Sequence, residues 1–309
     1  MRKSPRIPFT RSRVVTHCAR ALVASVALAA GACGSGAERP ALGSPAQPIL
    51  IAHRGASGLA PEHTVAAYDR AIEIGADYLE HDLQRTRDGA LVVLHDETLD
   101  RTARGPAENC RGPVRSKTLA QLETCDFGLW FAEGRPDAID AFAGERILTL
   151  DAVLRRYGRR AGTYIETKHP EHAPGLEEAL LALLDVHELL APSGGAPSVV
   201  IQSFSAESLQ KIHGLRPDLP LIQLLEEGET AAPLDEALAA VAEYAAGIGP
   251  YHPEVDAPLL AAARRHGLVV HAWTVNSEAD LVRLLEAGVD GVFTDYPDRF
   301  VVVRAQRSR

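Results

Sequence analysis

Residues 77–96 read DYLEHDLQRTRDGALVVLHD, two β-rich runs on either side of an Asp-Gly dipeptide at 88–89. This pattern predicts a hairpin with a two-residue turn, whose register sets Asp82 opposite His95. Glu80 lies two residues before Asp82, so their side chains share one face of the strand. Because directly opposed residues also share a face, we expect two carboxylates and an imidazole on the same side of the ribbon.

The rest of the chain alternates strand-like apolar runs with helical patterns. This spacing predicts an α/β protein, a closed (β/α)8 TIM barrel with a loop-rich insertion at about residues 99–147 after the second strand. An open dinucleotide-binding sheet is disfavoured, because no Gly-x-Gly-x-x-Gly follows the first strand. If the returning arm of the hairpin is counted with its own strand, the eight predicted strands lie at 49–55, 77–84, 163–168, 198–204, 219–227, 247–252, 268–275 and 290–295.

Polar and aromatic side chains gather where these strands end. In a TIM barrel those ends form one rim, and the rim carries the active site. Burying several carboxylates, imidazoles and basic groups together is costly, so a shared function is the better explanation for them. The residues at this predicted rim are His53, Arg54, Glu80, Asp82, Glu166, Lys168, Ser203, Phe204, Trp273 and Asp295, joined by His95 from the hairpin.

The N-terminus has the composition of an export signal. Residues 1–32 contain six Lys or Arg and no acid, and their apolar run ends directly before Cys33. Two processing routes fit: lipidation of Cys33 at a lipobox-like site, or ordinary signal-peptidase cleavage after Ala32. Residues 33–48 follow as a flexible Gly-, Pro- and Ser-rich tether, and 49–309 form the barrel. We predict an exported protein, lipid-anchored on the outer side of a bacterial membrane, or else periplasmic or secreted.

The net charge limits the molecules that this protein is expected to bind. The chain carries −9 at neutral pH, and removal of the six positive charges of the signal leaves −15. Such an acidic protein is not expected to bind nucleic acid, and a phosphate group must be held by a local basic cluster or a metal.

Cys110 and Cys125 are the cysteines beyond Cys33. In an exported chain they predict a disulfide across the insertion, with two free buried thiols as the alternative.

Six motifs together resemble the glycerophosphodiester phosphodiesterase family, in the same order from about residue 50 to the end of the chain. Two positions depart from the family pattern. His63 stands where members usually have Asn, and His81 stands where an apolar or small residue is commoner. Period two turns His81 away from the pocket, so we expect it to affect packing. The motifs are HRGASGLAPEHT, GADYLEHDLQRTRDGALVVLHD, YIETK, QSF, HAWTVN and GVDGVFTDYP.

The resemblance implies metal-dependent hydrolysis of glycerophosphodiesters to glycerol 3-phosphate and an alcohol. Glu80, Asp82 and Glu166 would bind one divalent cation, Ca²⁺ or Mg²⁺, since carboxylates suit hard cations. Glu62 would be a further carboxylate behind the ligands or facing the substrate. Its alternative role is a charge at a helix N-terminus.

The resemblance also implies the roles of the remaining site residues. His53 and His95 would form the acid–base pair, because imidazole suits proton transfer near neutral pH. The neighbouring glycerol hydroxyl would attack phosphorus, and water would open the resulting cyclic phosphate. Arg54 and Lys168 would bind the phosphate, and Trp273 would form an apolar wall beside the glycerol or alcohol.

Two alternative functions are compatible with these motifs. One is phospholipase C- or D-type, or lysophospholipase D, activity on lipids, in which the aromatic residues of FGLWF (127–131) form an apolar rim. We favour the interpretation that these residues form the small core of the insertion. The other is a non-catalytic lipoprotein that binds glycerophosphoryl groups, which would not require an acid–base pair. A membrane is expected as a partner only through the lipid anchor, and the oligomeric state is left open.

Overall fold

The computed structural model describes residues 42–133, 138–190, 198–230 and 234–307. None of the helices in these ranges is both long enough and apolar enough to cross a bilayer. The signal, Cys33 and the tether before residue 42 lie outside the described residues. The strands are β1 Ile49–Ala52, β2 Tyr78–Arg85, β3 Leu91–Val93, β4 Gly162–Thr167, β5 Val199–Ser203, β6 Leu221–Leu224, β7 Gly247–Gly249, β8 Val269–Ala272 and β9 Gly291–Thr294.

The strands close into the predicted eight-stranded parallel barrel. Strand order runs β1-β9-β8-β7-β6-β5-β4-β2, and β1 also pairs with β2, which closes the ring. β3 is the exception, because it pairs antiparallel with β2 as the returning arm of the hairpin. The helices of the described chain are α1 Val65–Ile74, α2 Ala107–Cys110, α3 Leu119–Leu122, α4 Leu129–Ala132, α5 Ile139–Phe142, α6 Leu150–Tyr157, α7 Leu176–Val186, α8 Ala206–Leu215, α9 Leu234–Ala242, α10 Ala257–Arg265, α11 Glu278–Ala287 and α12 Pro297–Arg307.

Strand alternation separates two apolar layers. The larger cluster lies between the strands and the surrounding helices, and a smaller one fills the lower barrel interior. Tyr78 and Tyr164 belong to the interior cluster. Because every second side chain of a strand points to the same side, Glu80 and Asp82 lie above Tyr78 on the inward side of the barrel. Glu166 lies above Tyr164 for the same reason.

The segment before β1 closes the lower end of the barrel. Leu42 is only 3% exposed within the interior cluster, and its carbonyl accepts a hydrogen bond from His271 Nε2 at 2.8 Å. Gly43 has φ +86, and a Cβ at this position would lie 2.1 Å from the Asp290 carbonyl oxygen, so only glycine fits. The predicted flexible tether is therefore wrong for residues 42–48, because a buried leucine and backbone hydrogen bonds hold this part of it against the barrel.

The hairpin differs from its prediction by one residue. Its turn has three residues, bracketed by Thr86 and Ala90, whose backbones are hydrogen-bonded at 2.9 Å, and Gly89 takes the left-handed φ of +89°. The Thr86 hydroxyl stabilises this longer turn by accepting the Ala90 N–H at 2.9 Å. The predicted pairing of Asp82 with His95 is consequently wrong: Asp82 faces Leu94, whose N–H donates to its carbonyl.

The insertion has a core of its own. Short helices α2 to α5 surround a cluster that contains Phe127 together with Cys110 and Cys125. The two cysteines form the predicted disulfide, with 5.6 Å between their Cα atoms. Phe127 agrees with the core interpretation of the aromatic stretch, whereas Phe131 is only half-buried and packs edge-on against Phe142 at 5.4 Å.

We expect acid to destabilise the barrel through His271. Burial lowers the pKa of His271 from 6.5 to about 4. The unfolded chain then binds a proton that the folded chain does not, so stability is complete above pH 6.5 and falls as the pH drops toward 4, by on the order of 3 kcal/mol. Urea unfolding at about pH 7 and about pH 4.5 should show a smaller acid-induced loss for His271→Gln than for the wild type. Equal losses would contradict this role.

Candidate active site

A pocket of about 280 Å³ opens at the carboxyl ends of the barrel strands. Six predicted site residues line it, namely His53, Arg54, His95, Glu166, Lys168 and Trp273. Glu80 and Asp82 lie deeper, with exposures of 0% and 1%. Phe204 also lines the pocket, whereas Ser203 does not: its buried hydroxyl donates to the Thr167 carbonyl at 3.0 Å and supports the sheet.

Glu80 and Asp82 are fixed by the loop that follows β1. Arg54 has φ 55, and its backbone N–H donates to Glu80 Oε2 at 2.7 Å. Its guanidinium Nε lies 3.2 Å from Asp82 Oδ2. The other oxygens, Glu80 Oε1 and Asp82 Oδ1, are buried without a hydrogen-bond partner in the described chain. Buried carboxylate oxygens that accept no hydrogen bond are costly, so this pair fits a hard cation.

Glu166 joins this cluster through the β2–β4 pairing. Its Cα is the register partner of the Asp82 Cα. Lys168 Nζ lies 2.9 Å from Glu166 Oε1 and 3.7 Å from Asp82 Oδ1, so one ammonium spans both carboxylates. The predicted ligands Glu80, Asp82 and Glu166 therefore lie on two paired strands, and Glu166 already has a basic partner in Lys168.

The two buried carboxylates, Glu80 and Asp82, have pKa values shifted in opposite directions. Burial and the charges of Asp82 and Glu166 raise the pKa of Glu80 well above its ordinary value. Burial would also raise the pKa of Asp82, but Lys168 and Arg54 outweigh it and hold that pKa well below the ordinary value. Asp82 is therefore the ionised member around which the basic groups are arranged.

His53 is oriented by a carboxylate from the last strand. Its Nδ1 lies 2.7 Å from Asp295 Oδ1. Asp295 is itself held by the Ser57 hydroxyl at 2.8 Å and the Asn276 amide at 2.6 Å. Burial and the Arg54 charge lower the pKa of His53, against the opposing effect of Asp295. With Nδ1–H donated to the carboxylate, Nε2 is the atom left for chemistry.

His95 has an equivalent arrangement from a different part of the chain. Its Nδ1 lies 2.7 Å from Asp96 Oδ1, and Arg101 donates to both oxygens of Asp96 at 2.7 and 2.9 Å. The segment is held in place by Gln84, whose side-chain amide donates to the carbonyls of Leu94, His95 and Asp96. This amide brings His95 to the pocket even though the hairpin register differs from the predicted one.

The match to the family model of the glycerophosphoryl diester phosphodiesterase family extends over residues 53–299. The chain belongs to this family. A glycerophosphodiester phosphodiesterase of Bacillus subtilis is 46% identical over 271 residues, which cover 87% of this chain and 91% of that protein. One from Caldanaerobacter subterraneus is 36% identical over 255 residues, covering 82% and 96%.

Solved structures give the same result for the fold. A glycerophosphodiester phosphodiesterase from Agrobacterium tumefaciens has a TM-score of 0.67 at 29% identity, covering 83% of this chain and 100% of its own. An Oleispira antarctica phosphodiesterase, in complex with the product sn-glycerol-3-phosphate, has a TM-score of 0.71 at 26% identity and covers 83% and 96%. The predicted family, barrel fold and enzyme class are confirmed: the protein is a glycerophosphodiester phosphodiesterase.

Glu62 links two basic groups of the phosphodiesterase pocket. It is 9% exposed, and Arg101 donates to both of its oxygens at 2.7 and 2.8 Å. Arg54 donates to it at 3.3 Å. Glu62 therefore orients the guanidinium that lines the pocket, which agrees better with a place behind the site than with a simple helix-end charge.

His63 is a site residue whose importance the sequence reasoning missed. It is 3% exposed, and its Nε2 lies 2.8 Å from Asp82 Oδ2. Its Nδ1 contacts the Tyr68 hydroxyl at 2.8 Å, and the same hydroxyl contacts His81 Nδ1 at 2.8 Å. Because an ionised carboxylate only accepts, His63 donates from Nε2, Tyr68 donates to His63, and His81 donates to Tyr68. As expected, His81 faces the helix side of the strand, away from the pocket.

Among the residues that the structure describes, two groups of three side chains have ligand atoms close enough together to hold a metal ion. His63, Glu80 and Asp82 form the buried one. The other, Glu97 with His169 and His172, is largely exposed, and Arg115 lies 3.3 Å from Glu97. The buried group fits a cation better, since Glu80 Oε1 and Asp82 Oδ1 accept no hydrogen bond from the described residues. The predicted ligand Glu166 is not part of this group, and His63 takes its place.

We expect His63→Ala to lower the free energy of unfolding by about 2 kcal/mol, because it removes a charge-assisted hydrogen bond from the buried Asp82 carboxylate. His63→Asn retains a donor at this position and should lose less than half as much. Urea unfolding of the two variants measures the difference. Stability of His63→Ala equal to the wild type would show that the imidazole does not hold Asp82.

Proposed function

We propose that the enzyme hydrolyses glycerophosphodiesters to glycerol 3-phosphate and an alcohol, with a divalent cation and two catalytic imidazoles. The observation that carries this proposal is the pair His53 and His95. Each has Nδ1 at 2.7 Å from a carboxylate, and both line one pocket. The product bound to the Oleispira antarctica relative supports the substrate class.

The phosphate of the substrate is held by basic groups of the same pocket. Arg54 and Lys168 both line it. The planar Arg54 guanidinium suits two phosphate oxygens, and Lys168 supplies a point charge. Their pairing with Asp82, Glu62 and Glu166 keeps both cations in position before the substrate arrives.

Glu80, Asp82 and Glu166 would hold the divalent cation. Glu80 Oε1 and Asp82 Oδ1 are buried and accept no hydrogen bond from the described residues, which supports this assignment, and an all-oxygen donor set suits Ca²⁺ or Mg²⁺. Once bound, the cation would neutralise charge on the phosphoryl oxygens. His63 fixes the orientation of the Asp82 carboxylate through its 2.8 Å hydrogen bond.

The imidazoles move the protons. One of His53 and His95 takes the proton of the neighbouring glycerol hydroxyl at Nε2 while the hydroxyl oxygen bonds to phosphorus. The other gives its proton to the departing alkoxide, and the alcohol leaves as a cyclic phosphate forms. Water then opens the ring with the two roles reversed, which returns both residues to their starting protonation states.

Activity on intact lipids is less well supported. The large apolar side chains that are more than a third exposed in the described chain are Ile139, Val186, Leu215, Val282 and Val302, and none lines the pocket. A lipid-binding rim would require such residues around the mouth. The non-catalytic alternative is not retained, since the chain belongs to a family of hydrolases.

We also propose that the enzyme works outside the cytoplasm. A basic and then apolar N-terminus supports export, and Cys33 would carry the lipid that anchors the protein to a membrane. Mass measurement of the mature protein tests this, because acylation adds a lipid mass at Cys33. Cleavage after Ala32 without added mass would replace anchoring with a periplasmic or secreted location.

His53→Ala and His95→Ala should each lower kcat by about 10² to 10⁴-fold with glycerophosphocholine, because each removes a proton-transfer group. Thermal unfolding should stay close to that of the wild type. His213→Ala, a histidine of α8 outside the pocket, is the matched control and should retain full activity. Full activity of either pocket variant would remove its residue from the acid–base pair.

Chelation should abolish hydrolysis, and added Ca²⁺ or Mg²⁺ should restore it. The cation should also raise the melting temperature of the wild type, because it relieves the repulsion among buried carboxylates. Glu80→Gln, which lacks one ligand charge, should show a smaller rise. An unchanged rate and an unchanged melting temperature after chelation would argue against a resident cation.

A further inference from the structure

The pocket has two chemically different sides. Its polar side carries the imidazoles and the basic groups assigned above to catalysis and phosphate binding. Its apolar side is formed by Phe204, Leu224, Trp273 and Phe293. A diester held by its phosphate among the basic groups would have its alcohol groups within a pocket that is partly apolar.

Two aromatic rings form a rigid corner on that side. Phe204 and Trp273 stand perpendicular, at 89° with 5.7 Å between ring centroids. The Trp273 indole N–H donates to the Gly249 carbonyl at 2.7 Å, and Tyr251 packs against the indole at 5.4 Å. Aromatic rings have electron-rich faces, which attract an alkylammonium group, and both rings line the pocket.

A carboxylate lines the same pocket as this corner. Glu226 follows β6, is exposed and lines the pocket. Its backbone N–H donates to Glu229 at 2.8 Å, which anchors the loop. The other pocket carboxylate, Glu166, is paired with Lys168. Within the described ranges, the Glu226 carboxylate has no hydrogen bond or ion pair, so its charge is available to a ligand.

We propose that Phe204, Trp273 and Glu226 form a subsite for a cationic alcohol group of the substrate, such as choline or ethanolamine. This inference rests on the proposed function. Aromatic faces favour an ammonium group, and an adjacent carboxylate supplies the countercharge that a neutral polyol would not need. The subsite therefore distinguishes glycerophosphodiesters by the charge of their alcohol.

The test compares kcat/KM for glycerophosphocholine and for the uncharged glycerophosphoglycerol. Glu226→Gln should reduce the ratio of the two about three- to fivefold, mainly through KM for the choline ester, since an exposed charge contributes modestly. Glu227→Gln is the matched control, because Glu227 is exposed but does not line the pocket, and it should leave the ratio unchanged. The effect of Glu226→Gln should shrink as salt is raised.

A binding measurement separates this inference from the proposed function. Tetramethylammonium should compete with glycerophosphocholine, and its binding by calorimetry should weaken in Glu226→Gln and in Phe204→Leu. If neither diester is hydrolysed, the proposed function fails, whereas loss of tetramethylammonium binding in the variants would still support the subsite. If both diesters are hydrolysed with the same ratio in wild type and Glu226→Gln, the subsite is overturned and the proposed function stands.

Discussion

Three carboxylates lie close together inside this barrel, and contacts with two basic residues offset their mutual repulsion. Glu80, Asp82 and Glu166 share the inward faces of two paired strands, where burial makes ionised carboxylates costly. Lys168 spans two of them, and Arg54 contacts Asp82 through its side chain and Glu80 through its backbone. Lys168 and Arg54 are also the groups that can bind a phosphate. The contacts that stabilise the buried carboxylates therefore also position the basic side chains of the site.

Much of the fold follows from local pattern. Alternating strands and helices predict the barrel, and polar residues at strand ends predict the pocket, because the carboxyl ends of parallel strands must meet at one rim. The hairpin register was wrong because a single side chain, the Thr86 hydroxyl, stabilises a turn one residue longer than the Asp-Gly dipeptide suggests. The burial of Leu42 was missed because one leucine among Gly, Pro and Ser carries no periodic signal.

The residues that hold the site's reactive side chains in position were harder to predict than the reactive side chains themselves. His63 was noticed only as a departure from the family pattern, yet it holds Asp82 and connects it through Tyr68 to His81. Gln84 is not among the predicted site residues, although its amide donates to three successive carbonyls, those of Leu94, His95 and Asp96. Such roles depend on contacts between segments distant in sequence. A signal was nevertheless present, since a polar residue in a buried strand implies a partner.

Arg101 joins the insertion to the barrel at the pocket. It contacts Glu62 from the loop before α1, Asp96 beside His95, and the face of Trp130 at 5.3 Å. The insertion is therefore connected to the candidate site through this one arginine. A chimaera that imports another relative's insertion would need to keep an arginine at this position.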